Sequence, residues 1–259
     1  MTGKWVNFYV AVACVFLLAP IAIVIPSSFD TVGSLAFPPS GLTLKWYEQV
    51  LGNTAFLRAV QVSIVVALLS TVVSLGVGLL SCIAIVRYKP FGAAVLVSFF
   101  MLPIILPGIV IGVALAMMFS TLGLIGTYTA LVLGHAIATI PYVVRVLLPA
   151  LQDLDLSIEE AARVLGAGRW RTFWLITVPL LRHSLVTAVV FSSLVSLDEL
   201  IISIFLSGSR AATLPVEMFN YAQHYLDPSM AAISTLVILL TLVIMAFVEK
   251  FVGLNNQFK

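Results

Sequence analysis

Residues 60–86 read VQVSIVVALLSTVVSLGVGLLSCIAIV, an apolar run with no Asp, Glu, Lys or Arg. A membrane-spanning helix needs about 20 such residues, so this stretch alone is long enough to cross a bilayer. The same composition recurs on both sides of it. Six stretches qualify, at roughly 7–25, 60–86, 91–119, 128–148, 184–206 and 230–248. Across the 259 residues, 61% are hydrophobic and only 9% charged. A soluble domain carries about 25% charged residues, and this chain has too few to coat a surface facing water. A soluble enzyme, a disordered protein and a free nucleic-acid binder are thereby excluded. The expected fold is an all-α membrane protein of six transmembrane helices, forming one transmembrane domain over residues 1–259.

The first apolar run follows Lys4 but is too long for the core of a signal peptide. Pro26-Ser27-Ser28 offers no small-x-small cleavage site, so the run is read as retained. Orientation follows from the basic residues. With both termini cytoplasmic, the inner side holds Lys4, Arg87, Lys89, Arg145, Arg163, Arg169, Arg171, Arg182, Lys250 and Lys259, and the outer side only Lys45, Arg58 and Arg210. That places 10 of 13 basic residues inside, and a multi-pass protein of the bacterial inner membrane is expected.

Chemistry of its own is hard to find in the chain. Cys14 and Cys82 sit in apolar runs and read as small hydrophobes. No metal-ligand spacing surrounds His135, His183 or His224, and His135 is read as hydrogen-bonded between helices. There is no Gly-rich phosphate loop and no nucleophile elbow, so no nucleotide or metal is expected to bind here. Gly76 and Gly78 favour close helix contact. Pro103 and Pro107 interrupt the ladder of the third span, either as a gate or as a packing kink.

Two connections stand out. The outer one, about 26–59, contains Trp46 and Tyr47, which suit an interfacial anchor. The inner one, about 150–183, is the most charged part of the chain. Within it, Ser157 and Glu160 have the spacing of a capping box, Glu159 and Arg163 that of an i,i+4 pair, and Gly166 the position of a C-cap. A second amphipathic piece follows at 169–174. Two short helices are expected along the cytoplasmic face, lying on lipid or gripping a protein partner.

Glu160-Ala161-Ala162, Gly166, Ile176 and Pro179 together resemble the EAA motif of permease subunits of ATP-binding-cassette (ABC) importers, with Val178 where the family form has Leu. The resemblance implies the type I importer permease fold, with cytoplasmic coupling helices seated on an ATPase dimer. It further implies a second, different permease subunit, a periplasmic or surface solute-binding protein, and ATP and Mg bound by the ATPase subunits rather than by this chain. Residues 43–47, Ser196-Leu197-Asp198-Glu199-Leu200, Leu214-Pro215 and Asp227-Pro228 resemble the second permease of spermidine/putrescine importers. Opine-type compounds, aminophosphonates and ferric iron are the alternative cargoes of neighbouring importers. A self-sufficient secondary transporter is the rival class, although the chain has no clear internal repeat.

Asp198 and Glu199 fall inside the fifth expected span, about 20 Å from its inner end and about 12 Å from its outer end. A carboxylate at such depth costs about 2.5–3.5 kcal/mol on insertion scales and commonly marks a solute or ion route. On a continuous helix Glu199 shares a face with Ser192, Ser196 and Ser203. Glu199 is therefore expected on a wet pathway, with Asp198 bordering it or facing the companion permease; the alternative is that the polar groups serve helix packing. Glu217, Tyr221, Tyr225 and Asp227 in the next outer segment either take an ammonium group by cation–π contact or dock a binding protein.

Overall fold

The computed structural model describes residues 2–33, 37–225 and 227–252. Helix α1 (Thr2–Ser27) is followed by the short α2 (Lys45–Gly52) and the long α3 (Thr54–Tyr88). Then come α4 (Ala93–Ile105), α5 (Gly108–Thr121) and α6 (Tyr128–Gln152). The inner connection holds α7 (Leu156–Val164), α8 (Arg169–Thr172), a π-helical turn at Phe173–Thr177 and α9 (Val178–Leu180). The chain continues with α10 (Arg182–Asp198), α11 (Ile201–Leu206), α12 (Leu214–His224) and α13 (Pro228–Val252). Among the described residues the only extended pairing is a bridge between Gly208 and Ala211.

Segments Trp5–Ser27, Thr54–Tyr88, Tyr128–Gln152 and Pro228–Ala246 are each long and apolar enough to cross a membrane alone. Two bent pairs raise the number to six. The third span, 91–119, is broken as its prolines suggest, at Pro107 rather than at Pro103, which lies inside α4; α4 and α5 meet at 101°. Pro107 has no N–H for the helical ladder and forces Leu106 into extended backbone (φ −77°, ψ 141°). The expected fifth span over 184–206 is corrected. Helix α10 is entered at 73° from the arm before it, and it stops at Asp198.

The chain divides into two compact units, residues 1–58 with 217–247 and residues 59–216 with 248–259. The second unit is organised around α6. Towards one end Val62 and Val66 of α3, Leu115 and Phe119 of α5, Leu131 of α6 and Ile202 and Leu206 of α11 form one buried cluster. Towards the other end Cys82 of α3 packs with Val143, Val144, Leu147 and Leu151 of α6 and Ala188 of α10. Lipid is as apolar as leucine, so these helices are held by close packing rather than by exclusion of water. Small residues permit the approach. A Cβ on Gly78 would meet Val143, whereas Gly76 has nothing within 4 Å and makes no such contact.

In the first unit α1 exposes nearly all of its apolar side chains, Phe16 at 77% and Leu17 at 71% among them. Trp46 corrects the expectation of an interfacial anchor. It is buried, its Nε1 donates to the Asp30 carbonyl at 2.7 Å, and Lys45 Nζ lies 5.1 Å from its ring centroid. Tyr47 is half-buried, its hydroxyl 2.6 Å from that of Ser28. The side chains of Lys4 and Lys250, and all of Lys259, lie outside the described residues.

Candidate functional site

The inner connection begins where α6 ends, and its first cap is Asp155. The Asp155 carboxylate accepts from Ser157 N at 2.9 Å, and that bond holds its pKa below the usual carboxylate range. The expected capping box of Ser157 with Glu160 is corrected, because the cap is Asp155, two residues earlier, and Ser157 lies inside the helix. At the other end Gly166 has φ +89°. Its N–H donates to Arg163 O and that of Ala167 to Ala162 O, both at 3.0 Å, so the helix closes in a left-handed turn that glycine adopts without a Cβ penalty.

Glu159 does not pair with Arg163 as its spacing suggests. Its Oε1 takes the Arg87 guanidinium from the last turn of α3 and the Thr177 hydroxyl, at 2.7 Å, from the π-helical turn. This carboxylate therefore ties three elements together at one point. The two ion-pair side chains are 15% and 16% exposed, and Arg87 Nη1 is buried with no partner among the described residues. A cavity of about 340 Å3 opens beside the latch, lined by Arg87, Glu159, Glu160, Arg163 and Arg169 among others. Pro179 cannot donate to the carbonyl a turn behind it, and just before it the ladder widens, Val178 N reaching back to Phe173 O. Ile176 is half-buried and Pro179 exposed.

Glu160, Ala161 and Gly166 are exposed and Ala162 half-buried. The tip beyond them carries Val164 at 87% and Leu165 at 88% exposure, with Trp170 at 74%. Charge is thus gathered at the root of the loop and apolar surface is offered at its end.

In the fifth span the expected continuous face does not exist. Glu199 leaves the helix (φ −72°, ψ 96°), and α11 restarts two residues later. Glu199 caps the start of α11: Ile202 N donates to Glu199 Oε1 at 3.0 Å, and the Ser203 hydroxyl donates to Glu199 O at 2.6 Å. Asp198 is exposed and Glu199 half-buried.

Ser192, Ser196 and Ser203 are buried and turned inward. Ser192 pairs with Ser74 at 3.0 Å and Ser196 with Ser70 at 3.1 Å, while the neighbouring Ser193 pairs with Thr71 at 3.1 Å. His135 lies between Ser196 and Ser203, 2.8 Å from each. These polar groups answer one another within the chain, so the serines join helices and the carboxylates stand apart from them. Ser70, Thr71 and Ser74 were not singled out in the sequence, although Ser63, Ser70 and Ser74 recur at helical spacing in an uncharged run. That periodicity was the available signal.

Helix α11 also depends on glycines that the sequence did not mark. A Cβ on Gly112 would strike the Phe205 ring, and one on Gly134 would meet Leu206 and Ile202. Gly126 N donates to Leu206 O at 3.0 Å.

In the first unit the Tyr221 ring lies tilted against those of Phe56 and Tyr225, with centroids 5.2 and 4.8 Å away, and its hydroxyl donates to Asp227 at 2.8 Å. Burial, reinforced by the Asp227 carboxylate, raises the Tyr221 pKa. Tyr225 is exposed, and Asp227 also caps α13 through Ser229 N.

Residues 74–253 match the family described as binding-protein-dependent transport system inner membrane component. The chain is 27% identical to a spermidine/putrescine transport system permease protein, PotC, of Haemophilus influenzae, over 97% of each chain. It is 30% identical to a sulfate transport system permease protein, CysW, of Synechocystis, over 80% of this chain and 82% of that one. Its fold matches a chain of a bacterial ABC transporter involved in the import of the acidic polysaccharide alginate, with a TM-score of 0.77 at 16% identity, over 96% of this chain and 95% of that one.

Proposed function

The chain belongs to the family of binding-protein-dependent transport system inner membrane components, and from that premise we propose that it is the membrane-spanning permease subunit of an ATP-driven importer for a small cationic or amine-bearing solute, a polyamine such as spermidine or putrescine. The solute class rests on one observation. The break in the fifth span presents two adjacent carboxylates, Asp198 exposed and Glu199 half-buried, neither in an ion pair among the described residues. Names alone do not choose the cargo, since relatives at similar identity carry polyamines and sulfate. The carboxylates favour a polyamine over sulfate: the Coulomb term that attracts an ammonium group repels a sulfate.

Coupling belongs to the inner loop. Glu160, Ala161, Ala162 and Gly166 form a surface with little side-chain bulk beside the apolar tip, suited to a groove on a cytoplasmic ATPase dimer. Ile176 and Pro179 shape the arm that carries movement into α10. ATP and Mg would be bound by those subunits, and the inner loop and both termini would face the cytoplasm. Exposed Asp198 is costly against hydrocarbon, which favours a companion permease or water opposite it. The apolar surface of α1 offers the same companion, or lipid, a broad contact. A periplasmic or surface solute-binding protein would deliver the cargo to the outer side.

The test is reconstitution in proteoliposomes with the ATPase, companion permease and binding protein encoded beside the gene. Gly166→Asp is expected to abolish solute-stimulated ATP hydrolysis while the chain still inserts. Glu199→Gln and Asp198→Asn are expected to raise the KM for a polyamine. Uptake by the purified chain alone, without ATPase, would overturn the reading.

A further inference from the structure

Helix α11 is six residues long, too short to persist by its own hydrogen bonds, so something outside it must hold the break before it. His135, 1% exposed on α6, touches both sides of that break. Its Nδ1 meets Ser196 of α10 and its Nε2 meets Ser203 of α11, each at 2.8 Å.

Proton accounting gives these bonds a direction. The single hydroxyl proton of Ser203 is committed to Glu199 O, so Ser203 accepts from His135 Nε2–H. Nδ1 is then the acceptor and takes the proton of Ser196. The Ser70 hydroxyl on α3, 3.1 Å from that of Ser196, donates to Ala67 O at 3.2 Å. A chain of donors therefore runs from Ser196 of α10 through His135 of α6 and Ser203 of α11 to the carbonyl of Glu199. The backbone of α6 supports the ring: Thr139 donates to His135 O at 2.8 Å, and Gly134 leaves room for Leu206 and Ile202.

We propose that His135 is a positioning residue that spans the break between α10 and α11 and thereby fixes where the Glu199 carboxylate is presented. The functional consequence rests on the reading of Glu199 as a group on the solute route; the positioning itself does not.

The experiment uses membranes containing the full chain, a hydrophobic carbodiimide as probe and fragment-level mass spectrometry to follow Glu199 and Asp198 separately. Ser203→Ala removes the Nε2 arm by deleting one oxygen. His135→Asn keeps a polar group near Ser196 but is too short for Ser203. Each is expected to raise the labelling rate of Glu199 about fivefold, and the double variant to add nothing, because both cut the same arm. Exposed Asp198 serves as the reference and is expected to keep its rate. Glu199 labelling within about twofold of the unaltered chain, or a double variant equal to the product of the singles, would overturn the proposal. Polyamine KM is measured on the same variants in the reconstituted transporter. Faster labelling with an unchanged KM leaves the positioning role intact and removes Glu199 from the route.

Discussion

The inner loop and the break in the fifth span are both fastened by polar side chains, but with different chemistry. At the loop the fastening is ionic and lies near the edge of its unit: Arg87, Glu159 and Thr177 meet at one carboxylate oxygen. At the break it is neutral and deep, built from hydroxyls and one imidazole spread over four helices. A charge cannot be left alone where water is scarce, whereas a hydroxyl can be lost with modest harm. The loop is therefore held by a contact whose removal is severe, and the break by several contacts that share the load.

The largest effect should follow from Glu159→Ala. It strands Arg87, one of whose nitrogens already lacks a partner among the described residues. Breaking a buried pair costs about 3–5 kcal/mol, and partial exposure here reduces that to about 2–3 kcal/mol. Thermal unfolding of the detergent-purified chain measures it. Arg87→Met combined with Glu159→Gln removes both charges, keeps an acceptor for Thr177, and should recover at least half of the loss. A single variant as mild as a serine deletion would erase the contrast between the two regions.

Next comes Gly134→Ala, which drives a methyl group into Leu206 and Ile202. Overpacking of this kind costs about 1–3 kcal/mol. Gly76→Ala, with open space around it, should leave the same melting curve unmoved.

These two regions also differ in how much of them the sequence disclosed. Six apolar runs and a charged inner loop are local properties, readable from composition and spacing. The C-cap at Gly166 is local too, and the structure has it with φ +89°. Glu159 was misassigned because Arg163 is its neighbour along the helix, while Arg87, 72 residues away, is its neighbour in space. The break at Glu199 was invisible for a similar reason. Nothing in Ser196-Leu197-Asp198-Glu199-Leu200 forbids a helix, and what ends it there is tertiary: the ring of His135 and the space left by Gly112 and Gly134. Pro107, by contrast, announces its own break.

A smaller effect is expected from Ser74→Ala, which removes one hydroxyl pair with Ser192. Hydrogen bonds between membrane helices average about 0.6 kcal/mol, so unfolding should shift by roughly that amount. A loss as large as that of Glu159→Ala would mean that the hydroxyls act as one unit rather than sharing the load.

The smallest effect concerns the first cap of the loop and depends on pH. The pKa of Asp155 is lowered in the folded chain by the Ser157 N–H, so its contribution is present above the unfolded value and is lost as pH falls through the folded one. Hydrogen exchange at the first amides of α7, corrected for the intrinsic pH dependence, should be unchanged from neutrality to about pH 4 and accelerate below it. Asp155→Asn keeps a capping oxygen without the titration, so the acceleration should vanish while protection at neutral pH persists. If the helix were instead capped by Ser157 with Glu160, Ser157→Ala would release those amides and Asp155→Asn would leave the acid limb in place. The two variants thus decide which side chain starts the helix that carries the EAA residues.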